Sequence, residues 1–174
     1  IAQRRRRLFL ICWMGSDCIR VDVPAATPLV LAEALAGMSS ASEDDVALAA
    51  DCTHFKVAQK IGPGQKLSNV RLSENSVATW SIPEVFGSTS EFEREVLTAI
   101  TRLRRRQRIR DFGDGDPVSK DRIEAAMNRD VSKTLARLID AGFLRMVDDK
   151  IDLRHTYNGK YRRLDWASVS PTVD

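Results

Sequence analysis

Asp130-Val131-Ser132-Lys133-Thr134-Leu135-Ala136-Arg137-Leu138-Ile139-Asp140-Ala141-Gly142 is the stretch whose reading decides the fold. Val131, Leu135, Leu138 and Ile139 recur at helical spacing and form one apolar stripe. Asp130 is expected to cap the helix by accepting N–H groups of its first turn. Gly142 is expected to end it, because glycine takes a left-handed backbone without strain. Ser132, Lys133, Thr134 and Arg137 fall on the other face. An apolar underside with short polar and basic groups outside suits a helix that is anchored to a core and presented to DNA. The same pattern also describes an ordinary amphipathic surface helix.

The neighbouring sequence extends this. Upstream, Ser90 and Glu93 have the form of a capping box. Phe92, Val96, Leu97, Ile100 and Leu103 make an apolar stripe to about Gln107, and Arg104, Arg105 and Arg106 sit in the last turn, the sign favoured by the helix dipole. Residues 112–117 read as a loop. Ser119 is expected to cap a shorter helix carrying Ile123, Ala126 and Met127, with Asn128-Arg129 as a tight link. Downstream, residues 143–147 and 151–154 read as two strands around Asp148-Asp149-Lys150. Helix, helix, turn, helix and hairpin is the order of a winged helix-turn-helix, whose second turn helix is the usual groove reader. The fold class expected for the chain is therefore α+β: a winged helix, three helices plus a β-hairpin, preceded by a mixed region of short strands and helices.

In that preceding region, residues 7–14 read as a buried strand, and Ile19, Val21 and Val23 alternate like a half-buried one. Residues 29–35 suggest a short helix ending at Gly37. Ser42 and Asp45 suggest a capped helix through Ala50. Residues 52–61 fit neither period. Gly62-Pro63-Gly64 is a turn. Residues 67–72 read as a short strand or extended loop, and residues 76–82 as extended, with Trp80 and Ile82 facing one way. The expected divisions are 1–23, 24–91, 92–155 for the winged helix, and 156–174.

The chain has 174 residues, 43% of them hydrophobic and only 6% aromatic, so aliphatic side chains must supply most of a core. Net charge is +3 and the pI near 8.9. That balance does not demand a nucleic-acid partner, but its distribution is suggestive: arginine gathers at Arg4 to Arg7, Arg102 to Arg110, and Arg162 with Arg163. Solvated or ion-paired faces are the alternative for each run. Cys12, Cys18 and Cys52 form no disulfide-dense pattern, which suits a reducing compartment. The apolar run at 8–14 is too short to span a bilayer, and no membrane partner is expected. A free-standing enzyme is not expected: there is no Gly-rich phosphate loop and no GxSxG, and Cys52 with His54 lacks a second ligand pair for zinc.

Gln3-Arg4-Arg5-Arg6-Arg7-Leu8-Phe9-Leu10-Ile11 resembles the eighth motif of DNA (cytosine-5) methyltransferases, Gln-x-Arg-x-Arg followed by an apolar strand, with Ala2 in place of the usual Pro. Tyr161-Arg162-Arg163-Leu164-Asp165-Trp166, followed by Ser170-Pro171-Thr172-Val173, resembles the segment that closes the family's target recognition domain before its ninth motif. His54 and Ile61-Gly62-Pro63-Gly64-Gln65 are similar to a turn seen in some members. The absent initiator Met and the lack of a closing helix fit a piece of a longer protein.

The resemblance implies a target recognition domain. It would bind double-stranded DNA and position the target cytosine for methyl transfer from S-adenosylmethionine by a catalytic domain of the same polypeptide, in the cytoplasm of a bacterium and at its nucleoid. Base extrusion suits this chemistry, since C5 and C6 are inaccessible in the stack. Arg7 matches the family's contact to the flipped cytosine, and Gln3 and Arg5 match the rest of the motif. A guanidinium at the cytosine O2 would hold the ring and stabilise developing charge. Surface charge is the plainer alternative for Arg5 and Arg7. No cysteine here follows a Pro, and the cofactor and glutamate motifs are missing. The chain alone is thus expected to bind no S-adenosylmethionine, to need no metal and to be inactive. The DNA-contacting candidates are Gln3, Arg5, Arg104, Arg105, Arg106, Ser132, Lys133, Arg137 and Arg145. The competing expectation is a protein-docking or scaffold insertion whose winged helix never touches DNA; a free-standing regulator comes third.

Overall fold

The computed structural model describes residues 3–4, 27–37, 48–106 and 114–171. In chain order the elements are β1 (Gln3–Arg4), α1 (Leu31–Leu35), α2 (Thr53–Lys60), β2 (Lys66–Ser68), β3 (Ser76–Val77), a 3-10 turn at Thr79–Ser81, α3 (Pro83–Phe86), α4 (Glu91–Arg106), α5 (Lys120–Met127), α6 (Ser132–Asp140), β4 (Leu144–Val147), β5 (Lys150–Leu153), β6 (Asn158–Arg162) and β7 (Ser170–Pro171). The chain is α+β, with helices and small sheets mixed along it.

Two compact units divide it: Ile1–Asp45 with Leu164–Asp174, and the continuous segment Val46–Arg163. In the first, β1 pairs parallel with β7, Gln3 opposite Ser170 and Arg4 opposite Pro171. The N–H groups of Leu31 and Ala32, which a helix start leaves without internal partners, donate to the carbonyls of Ser168 and Trp166, both at 3.0 Å. Asp165 holds the turn beneath them, accepting from the Ser168 hydroxyl at 2.7 Å and the Ala167 N–H at 3.0 Å. The helix expected at 29–35 is observed as Leu31–Leu35, with Gly37 at φ +93 after it. The expected strands at 7–14 and 19–23, the residues Arg5 and Arg7, and the Ser42–Asp45 capping box lie outside the described residues. Residues 48–50, expected as the end of a helix, are not helical.

The larger unit has two apolar clusters. The first gathers Val96, Leu97 and Ile100 of α4, Ile123 of α5, Val131, Leu135 and Leu138 around α6, and Leu144, Ile151 and Leu153 of the hairpin. Each of these aliphatics contributes roughly 1.5–3 kcal/mol by leaving water. The local signals behave largely as their chemistry dictates. Glu93 accepts from the Ser90 N–H at 2.7 Å while the Ser90 hydroxyl accepts from the Glu93 N–H at 3.3 Å, a reciprocal capping box. Asn128 ends α5 in the left-handed region, φ +49. Gly142, φ +79, and Phe143 donate back to Ile139 and Leu138 at 3.0 and 2.9 Å, closing α6.

Asp130 is shifted from its expected role. The N-cap of α6 is Val131, and Asp130 one residue earlier accepts the Ser132 N–H at 2.8 Å. Ser119 stands at the N-cap of α5 but makes no side-chain cap bond. β4 and β5 form a hairpin with Asp148 and Asp149 at φ +47 and +58, a two-residue turn of the twist that matches paired strands. Lys150, expected in the turn, is already in β5. Val118, between α4 and α5, exchanges hydrogen bonds of 2.8 and 2.7 Å with Ile151, adding a one-residue bridge to the hairpin.

The second cluster packs Val57 of α2 and Ile61, just past its end, against Leu67 and Ile82. The ambiguous 52–61 stretch is a helix, capped by the Cys52 sulfur, which accepts the Phe55 N–H at 3.3 Å. β2 pairs parallel with β3 and antiparallel with β6, giving the order β3-β2-β6. The expectation that Trp80 and Ile82 share an extended face is corrected. The 3-10 turn lies between the strand and Ile82, and sends Trp80 to the first cluster and Ile82 to the second.

Asn69 joins the two clusters. Only 2% exposed, it donates through Nδ2 to the His155 carbonyl at 2.7 Å and to the Thr79 hydroxyl at 3.3 Å. Its Oδ1 accepts the Tyr157 N–H at 2.7 Å, and its carbonyl accepts the Thr101 hydroxyl of α4 at 3.5 Å.

Candidate nucleic-acid interface

The buried stripe of α6 turns Lys133, Ala136, Arg137 and Asp140 outward. Lys133 is exposed. The Ser132 hydroxyl is half-buried and donates its one hydrogen to Asp130, with Glu124 at 3.3 Å as the alternative acceptor. That hydroxyl hydrogen bond, with the Ser132 N–H, holds the Asp130 carboxyl below its ordinary range. The start of α6 is therefore lined by two carboxylates, which oppose a phosphate there.

Arg137 is engaged from the other side. Its guanidinium grips the buried Glu93 through both carboxylate oxygens and reaches the Ser88 carbonyl at 3.4 Å. The Arg137 hydrogen bond is the main reason the Glu93 carboxyl lies below its ordinary value; burial opposes it and Ser90 assists. Glu93 in turn raises Arg137. One side chain thus completes a capping box on α4 and anchors α6.

Arg104, grouped by sequence with exposed arginines, is corrected: its side chain is 5% exposed and sits 2.8 Å from Asp152, itself 5% exposed. That contact, Nε to Oδ1, is an ion pair without hydrogen-bond alignment. A buried guanidinium facing a carboxylate is not open to a phosphate. The helix end is packed further by Gly115, where a Cβ would come 2.9 Å from the Arg104 carbonyl oxygen. Arg145, across the hairpin from Asp152, donates to Oδ2 through Nε at 3.0 Å and Nη2 at 2.7 Å and remains 56% exposed. Arg105 and Arg106 are exposed at the end of α4. Gln3 lies in β1, and Arg5 and Arg7 lie outside the described residues.

Sequence reasoning named only part of a second basic surface. Lys160, Arg162 and Arg163 border a cavity of about 700 Å³ whose apolar side includes Phe55, Ala58 and Ile61. The Tyr161 hydroxyl lies 3.0 Å from His54 Nδ1. The Arg162-Arg163 pair was visible in sequence; its partner Lys66 is brought in only by the pairing of β2 with β6.

Among the described residues no group of three or more His, Cys, Asp or Glu could hold a metal ion. Among the same residues no helix is long and apolar enough to cross a membrane. No family model, curated protein or solved structure matches the chain.

Proposed function

We propose that the chain is the target recognition domain of a DNA (cytosine-5) methyltransferase, binding duplex DNA and presenting the target cytosine to a catalytic domain of the same polypeptide. The observation that carries this reading is the parallel pairing of Gln3–Arg4 with Ser170–Pro171. The two segments that resemble the family's eighth motif and pre-ninth-motif segment lie side by side, and Val46–Arg163 is a module inserted between them. An arm that leaves and rejoins a catalytic body needs that arrangement.

Within the arm, residues 92–155 are read as a winged helix. The Val118–Ile151 bridge supports this, because it adds a short strand between the first two helices to the hairpin that follows the third. Arg7 is assigned to the cytosine contact in the full-length enzyme. S-adenosylmethionine and the cysteine nucleophile belong to the catalytic domain, where they would supply the methyl group and the addition to C6. Methylation by full-length enzyme carrying Arg7→Ala tests the assignment: a loss of turnover of about a hundredfold or more is expected, and wild-type turnover would overturn it.

One observation favours the scaffold reading. Arg104, Arg137 and Arg145 each pair with a carboxylate inside the protein, which lowers the free charge on the helix–hairpin face. Duplex binding separates the two readings. The recognition domain should bind at low salt and lose affinity steeply as salt rises, whereas a scaffold should not bind.

A further inference from the structure

On the β2–β6 sheet, positive charge collects that no described carboxylate pairs in a salt bridge. Gly159 has φ +96, a left-handed backbone that favours glycine. A Cβ built there would lie 3.2 Å from Lys66 Cδ, 3.5 Å from Arg162 Nη2 and 3.8 Å from Lys66 Nζ. An ammonium and a guanidinium therefore gather over space that any other residue would fill. Cross-strand pairing of Lys66 with Arg162 brings them there. Among the described residues, neither side chain has an ion-pair partner in the salt bridges formed. Like charges opposite one another on a sheet are destabilising, and a bound anion reverses that sign. Lys160 and Arg163 continue the charge along the same strand and its exit, at the rim of the cavity.

We propose that Lys66 and Arg162 over Gly159, extended by Lys160 and Arg163, are the phosphate seat of the recognition arm and take the phosphodiester backbone of duplex DNA. This deepens the reading above and rests on it. Guanidinium forks match phosphate oxygens in pairs, and an ammonium adds a point charge beside them. Contacts of this kind fix where the arm sits on the duplex without reading its sequence.

The test is fluorescence anisotropy of a labelled duplex against the 174-residue chain across a salt series. Lys66→Gln with Arg162→Gln should weaken binding at low salt and flatten the log–log salt slope by roughly one to two units. Lys66→Arg with Arg162→Lys keeps the charge and should hold the slope, which a purely structural role would not predict. Thermal melting by circular dichroism checks folding; if the glutamine pair does not fold, Lys160→Gln with Arg163→Gln carries the same expectation. Wild-type binding with an unchanged slope in the folded glutamine variant overturns the seat and leaves the recognition reading intact. A wild-type chain that binds no duplex at low salt overturns that reading and the seat with it. Equal affinity for a single strand of the same length overturns the assignment to duplex backbone.

Discussion

The helix–hairpin half and the β2–β6 half of the larger unit treat arginine in opposite ways. In the first, Arg104 and Arg145 share Asp152, and Arg137 holds Glu93. In the second, Lys66 and Arg162 converge, and among the described residues neither forms a salt bridge. Arginine counts along the sequence favour the first half as the charged surface; the placement of carboxylates favours the second. A basic run becomes a field only where the fold leaves it unpaired.

The contrast is broken most severely at Asp152. Asp152→Ala leaves the buried Arg104 guanidinium without its counter-charge, and a loss of about 3–5 kcal/mol is expected in urea unfolding. An effect under about 1 kcal/mol would mean the pair is not buried as described. Asn69→Ala removes one buried link between the halves. It strands the Tyr157 N–H and the His155 carbonyl, with an expected loss of about 1–3 kcal/mol by the same measurement.

A smaller effect is read from pH. Because the Glu93 carboxyl is held below its ordinary value of 4.5 in the folded chain, the stability it contributes is fully present above that value. It is lost as pH falls through the lowered folded value. Glu93→Gln should therefore reduce the drop in melting temperature between neutral and acidic buffer. An unchanged drop would place the acid sensitivity elsewhere. The smallest effect belongs to the other half: Lys66→Gln with Arg162→Gln, by relieving the opposed charges, should raise stability by no more than about 0.5 kcal/mol, while DNA binding weakens.

What the sequence discloses follows the range of each interaction. The α4 capping box, the α6 stripe and the Gly142 stop are written within a few residues, and local chemistry predicts them. Arg104 and Asp152 are 48 positions apart in number, and no local pattern announces that one will bury against the other. The same holds for Glu93 and Arg137, 44 apart. In α2 the helix cap is a cysteine sulfur, and its apolar residues serve a small cluster, so neither cap nor stripe stands out. The basic seat is half legible: Arg162 and Arg163 are adjacent in sequence, but Lys66 arrives through antiparallel pairing that sequence periodicity does not encode.

Asn69 has a thermodynamic consequence. Its side chain binds the 155–157 connection, which leads into β6, while its own carbonyl lies 3.5 Å from the Thr101 hydroxyl of α4, a hydroxyl shared with the Leu97 carbonyl at 2.9 Å. A ligand that prefers the native β2–β6 sheet would then stabilise more than that sheet. By linkage, its binding free energy is added to the unfolding free energy of whatever opens together with it. Through one buried amide, an anion on the strand surface would be felt in the helical core as a smaller population of open α4.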